Sequence, residues 1–190
     1  MRIDLSTKPH SKGMTVRVRM HPQYADFLKN EFGTNDKHQV FATERHPIGK
    51  LIKNLLRTNP STPDKRDYAR GAYIEFILPD YEDINTDYRN YLSLNSERII
   101  ASKIKSRFYY ELHEFIIEMA GSGLTELRRV ILLFCEQFGI DESHYKINTL
   151  EREYRRYRYR IEIVKKTRKI ASSLEAFLFL FLSVFCPFFT

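Results

Sequence analysis

Between Thr149 and Ile170 the sequence reads TLEREYRRYRYRIEIVKKTRKI. Arg152, Arg155, Arg156, Arg158, Arg160, Lys165, Lys166, Arg168 and Lys169 stand there against three acids, Glu151, Glu153 and Glu162. Guanidinium groups stay charged at any physiological pH and present paired N–H donors, which suit phosphate oxygens and the acceptor edge of guanine. Lysine adds charge without that fork. Tyrosines interleave with the arginines, and a phenol can donate to a phosphate or stack on a base. The chemistry on offer is anion recognition, with nucleic acid as the expected partner and DNA ahead of RNA. The expected contacts are Arg152, Arg155, Arg156, Arg158, Tyr159, Arg160, Lys165 and Lys166. Of these, Arg152, Arg155 and Arg156 are placed nearest to bases or phosphates.

The distribution of charge supports this reading more than its total does. The chain of 190 residues carries a formal net charge of +7. Residues 171–190 add only Glu175, which leaves twenty-two bases and twenty acids in the first 148 residues. Nearly all the excess therefore sits on one segment, and localised charge of one sign raises the local concentration of an opposite partner. The competing reading is a well-solvated helix. Glu151 with Arg155, Arg158 with Glu162, and Glu162 with Lys166 are spaced for ion pairs within such a helix. Those pairs would still leave six bases without a partner on it.

No constellation for catalysis competes with the basic segment. Phosphoryl transfer by divalent metal needs clustered carboxylates, and Asp80, Glu82, Asp83 and Asp87 offer the nearest approach. On a helix Asp83 and Asp87 would share a face, but acids at a helix start are explained by the helix dipole alone. The six histidines show no zinc-finger or zincin spacing. His113 falls near an apolar stripe and reads as a packed imidazole. Cys135 lies on a second such stripe and reads as core. The glycines are scattered and build no phosphate-binding loop. The expectation is a non-enzymatic protein with no cofactor, no metal and no small-molecule substrate.

The elements that must position the basic segment can be read from periodicity. Val16 and Val18 alternate with Arg17 and Arg19, the period of a half-buried strand. Pro22 opens a helix with Tyr24, Phe27, Leu28 and Phe32 on one face, closed by Gly33. HQVFAT (His38–Thr43) is a second strand, and Pro47 starts a helix carrying Ile48, Leu51, Ile52, Leu55 and Leu56. Asn59–Asp67 is a polar, proline-bearing loop. GAYIEFILP (Gly71–Pro79) is a third strand. From Ser96 the period becomes helical, with Ile100, Ile104, Phe108, Leu112, Phe115 and Met119 on one stripe up to the break at Gly121–Gly123. A shorter helix follows from Leu124, with Gly139 at its C-terminal cap. Asp141 caps a short turn, and Asn148 is placed to start the basic helix.

The predicted fold class is α+β and mainly helical. A small β-α-β-α-β module spans residues 1–94, a helical module ending in the basic helix spans 95–170, and an apolar tail spans 171–190. At 100° per residue Leu150, Tyr154, Tyr157, Ile161 and Val164 form one stripe, expected to dock on the preceding helices. Arg152, Arg155, Arg156, Tyr159 and Lys166 lie opposite, with Ile163 among them. The order helix, FGIDESHY, basic helix resembles the helix-turn-helix plan, in which the last helix enters the major groove. The connection Ile140–Asn148 is longer than the usual turn, which leaves an unrelated three-helix packing open. The tract TLEREYRRYRYR is similar to the C-terminal end of small, mostly uncharacterised proteins of bacterial prophages and mobile elements. The resemblance covers the helical half and implies a regulatory or accessory role on DNA.

The tail AFLFLFLSVFCPFFT (Ala176–Thr190) differs in composition from the rest. As a helix it would extend about 22 Å, short of a hydrocarbon core of roughly 30 Å. It reads as a segment covering the core or as a foreign terminus ahead of a membrane anchor, although the basic flank before it is one that an anchor would carry. The N-terminus lacks the apolar run of a signal peptide, and the expected location is cytoplasmic. The α/β module is left with homodimerisation or partner binding as its role. An interaction adaptor docking an acidic protein on the basic helix is the remaining class.

Overall fold

The computed structural model describes residues 14–61, 72–79, 81, 83–85 and 87–185, with side chains as far as Thr167. The chain is α+β, as its periodicities predict. Its elements in order are β1 (Thr15–Arg19), α1 (Pro22–Phe32), β2 (Val40–Phe41), α2 (Pro47–Leu55), β3 (Tyr73–Ile77), α3 (Leu94–Gly121), α4 (Leu127–Gln137) and α5 (Ile147–Phe185). Two units divide it, Met1–Lys146 and Ile147–Thr190.

In the first unit β3 is the middle strand of the order β1-β3-β2. It runs antiparallel to β1, with Val16 opposite Phe76 and Val18 opposite Ile74, and parallel to β2. Val16, Val18, Val40, Ile74 and Phe76 are all buried. On the other face Arg17 stands opposite Glu75, donates to it over 2.7 Å, and lies over the ring of Tyr73.

The long helix α3 organises the unit by packing against β1, α1, α2 and α4. Its buried stripe is Ile100, Ile104, Phe108, Leu112, Phe115 and Ile116. Phe108 meets Phe27 of α1 edge-on at 5.5 Å and Phe134 of α4 at 5.6 Å. Aromatic pairs in this geometry add to the burial they bring. Met119, assigned to the stripe by spacing, is only half-buried because it lies in the last turn.

The helix ends follow local chemistry. Pro22 and Pro47 occupy first turns, where a missing N–H costs nothing. The Ser93 hydroxyl accepts the Ser96 amide at the start of α3. Gly139 takes φ 59° after α4, a left-handed conformation that suits a residue without Cβ. Asp141 caps a single 3₁₀ turn, Glu142–His144, by accepting the Ser143 amide at 2.8 Å. Helix α4 begins at Leu127, later than the apolar period suggested.

Asp83 and Asp87 do not share a helical face. The Asn85 side chain accepts the Asp87 amide at 2.9 Å and holds a turn there, and Asp83 pairs with Lys53 at 2.5 Å. In the second unit α5 starts at Ile147, ahead of the expected Asn148. It continues beyond Ile170 to Phe185, so the apolar stretch up to Phe185 belongs to the same helix.

Candidate nucleic-acid interface

The sequence of α5 gives it the means to stay helical without deep burial. Arginine, lysine and glutamate are good helix formers, and oppositely charged neighbours one turn apart brace the surface. Arg155 pairs with Glu151 at 3.5 Å, Arg156 with Glu153 at 2.7 Å, and Arg158 with Glu162 at 3.2 Å. Two of these follow from the i, i+4 spacing. The third, Arg156 with Glu153, has i, i+3 spacing, and Glu162, engaged by Arg158, does not form the expected pair with Lys166 among the described residues.

These pairs are exposed, and ion pairs of that kind contribute little. They hold three guanidinium groups along the helix without removing them from solvent. Arg152, Lys165 and Lys166 have neither a carboxylate nor a hydrogen-bonding partner among the described residues, and Arg160 Nε reaches only the Arg156 carbonyl oxygen at 3.4 Å. Arg152, Arg155, Arg156, Arg158, Tyr159, Arg160, Lys165 and Lys166 are all exposed. Tyr159 is 66% accessible. At 100° per residue Arg152, Arg155, Arg156, Tyr159 and Lys166 fall on one side. Arg160 and Lys165 flank the opposite stripe, one on each edge.

That opposite stripe is only partly covered. Leu150 is buried, and Tyr154 and Tyr157 are half-buried. Ile161 is 38% and Val164 46% accessible, and every residue from Arg158 to Thr167 is exposed. Burial expected along the whole stripe is therefore confined to its N-terminal end. A helical period identifies the face that is apolar; it does not supply a neighbour for it. The cationic surface consequently runs around the helix between Arg158 and Lys166.

The other groups singled out by sequence have structural settings. His113 is buried in the core. Cys135 is buried, and burial pushes its thiol up to about 11. His144 Nδ1 lies 2.5 Å from Asp26 Oδ2, tying the 3₁₀ turn to α1. Among the described residues no group of three or more His, Cys, Asp or Glu is placed to hold a metal ion. Among the described residues no helix is long and apolar enough to cross a membrane.

One polar cluster has no local signature in the sequence. Arg107 of α3 donates from Nε to Glu31 of α1 at 2.8 Å, and its Nη2 contacts the same carboxylate. His46, at the N-cap of α2, accepts the Ile48 amide on Nδ1 at 3.1 Å, while its Nε2 faces Glu31 at 3.7 Å. Burial raises the Glu31 carboxyl, but the facing His46 and Arg107 outweigh it, and the group titrates below its ordinary range. The cluster ties three helices together at long sequence separation. Comparison with protein-family models, curated proteins and solved structures finds no match.

Proposed function

We propose that the chain binds DNA through α5 and acts as a regulatory or accessory protein of a mobile element. One observation carries the reading: arginines and lysines on a single helix are exposed together and exceed the carboxylates beside them. A duplex offers regularly spaced phosphates along its grooves, and a helix fits the major groove. Arg152, Arg155 and Arg156 supply forked donors near the start of the helix, and Tyr159 and Lys166 extend the contact. The mobile-element role rests on the resemblance of TLEREYRRYRYR.

Fluorescence anisotropy of labelled duplex DNA against the full chain, over a salt series, tests the proposal. Binding should weaken steeply with salt, with a log–log slope of about −0.9 for each phosphate neutralised. The triple variant Arg152→Glu, Arg155→Glu, Arg156→Glu, with helicity checked by circular dichroism, should lose the slope along with the affinity. Equal binding by the folded triple variant would refute the proposal.

A second reading has an observation of its own. The helix runs unbroken from the basic segment into a phenylalanine-rich stretch, the order carried by a membrane-anchored helix with a cationic flank. Flotation with anionic vesicles separates the two. Retention on vesicles that vanishes on removing residues 171–190, together with absent DNA affinity, would favour the membrane.

A further inference from the structure

Helix α3 shows a second stripe, turned away from its buried one. Ile99, Lys103, Ser106, Tyr110, Glu114 and Ile117 follow one another at steps of three and four residues and are all exposed. Ile99 is 41%, Tyr110 61% and Ile117 51% accessible. Such spacing builds the seam along which two helices interlock. The stripe is about 27 Å long at 1.5 Å per residue.

Its two halves carry opposite charge. The N-terminal half holds Arg98 and Lys103, and the C-terminal half holds Glu114 and Glu118. None of the four has an ion-pair partner among the described residues, and all are exposed. Beside the cationic half lies an open groove of about 740 Å³ between α2 and α3. Pro47, Leu51 and Ile99 give it an apolar floor, Lys50, Arg98 and Lys103 stand on it, and among the described residues no carboxylate lines it. No aromatic ring among the described residues lines it either, so these residues offer no platform for stacking a base.

We propose that this face binds a second copy of the chain, with the two α3 helices antiparallel. A two-fold interface must be complementary to itself, and this one is. With Ile99 opposite Ile117 of the second copy, Lys103 and Glu114, which share one flank of the stripe, face each other across the two-fold, and Ser106 faces Tyr110. Ile117 of each copy meets the floor made by Leu51 and Ile99 of the other, beside Lys103 at the rim of the groove. The reverse, parallel arrangement sets like charges against each other, which costs several kcal/mol. The excess charge of the chain lies on α5 and leaves the first 148 residues nearly balanced, so the two copies can approach. This inference is independent of DNA binding.

The charge pattern supplies the test. Sedimentation equilibrium of the full chain should show a monomer–dimer equilibrium in the micromolar range, as expected of an interface below about 1,200 Å². One variant carries Arg98→Glu and Lys103→Glu, making both halves acidic. The other carries Glu114→Lys and Glu118→Lys, making both halves basic. Each alone should dimerise about a hundredfold more weakly, whereas an equimolar mixture should restore the dimer as a heterodimer. Circular dichroism confirms that both fold, which is expected because the substituted side chains are exposed. A wild-type chain that stays monomeric up to about 100 μM, where a micromolar dimer would be formed, overturns the proposal. So does a dimer indifferent to both variants, or a mixture no more associated than its components.

Discussion

Gly49 shows how a single residue fixes the approach of two segments. It lies in the first turn of α2, where a Cβ would stand 1.9 Å from the Thr43 carbonyl oxygen and 2.9 Å from the Ala42 carbonyl carbon. Both neighbours are backbone and cannot swing away. Gly49→Ala should therefore destabilise the fold by about 3 kcal/mol or more, read as a lower urea midpoint, although alanine is the better helix former. Glu31 makes a different case. Its carboxyl is held below the ordinary 4.5 in the folded chain, so the stability it contributes is present above that value and is lost as pH falls through the lower folded one. Glu31→Gln should cost about 2 kcal/mol at pH 7. The gap to the wild type should close on acidification below about pH 4.5, the ordinary carboxyl value, in urea titrations repeated across pH. Neither residue announces itself in sequence: Gly49 is an unremarked helical glycine, and Glu31 meets Arg107 across 76 positions.

At the scale of the element, periodicity located the strands and helices of the first unit because each buries one face against a neighbour. The alternation Val16, Val18 and the stripe Ile100, Ile104, Phe108, Leu112 are direct imprints of that burial. The same reasoning failed at Ile161 and Val164, which share a stripe with Leu150 yet remain exposed. It failed also at Asp83 and Asp87, where the Asn85 side chain captures a backbone amide that a helix would have needed. The exposed basic residues were legible, since charge clustering needs no partner to be seen. The exposed stripe of α3 was not, because its polar and apolar members are diluted among the buried positions. A pair of substitutions in the helical core separates position from composition. Phe108→Ala should cost about 4 kcal/mol, since it empties the contact of α1 with α3 and α4. Leu133→Ala, next to buried Phe134 but itself exposed, should cost no more than about 0.5 kcal/mol. Denaturant melts of the two variants give the comparison.

At the scale of the whole molecule, the sheet and the buried aromatic cluster of α1, α3 and α4 lie within Met1–Lys146, whereas the cationic excess lies beyond it. A chain ending at Lys146 should accordingly unfold in a single cooperative urea transition and bind duplex DNA no better than its slight net charge allows. Loss of cooperative folding in that fragment would show that the two units depend on each other for stability. The order β1-β3-β2 has one more consequence. It leaves β1 on the outside of the sheet, a short valine-rich segment with hydrogen-bonding groups directed away from β3, the kind of edge on which other chains assemble into aggregates. Arg17 and Arg19 project from the exposed face of that strand. These two arginines thus act as gatekeepers, keeping a strand that must remain β-prone from recruiting its neighbours.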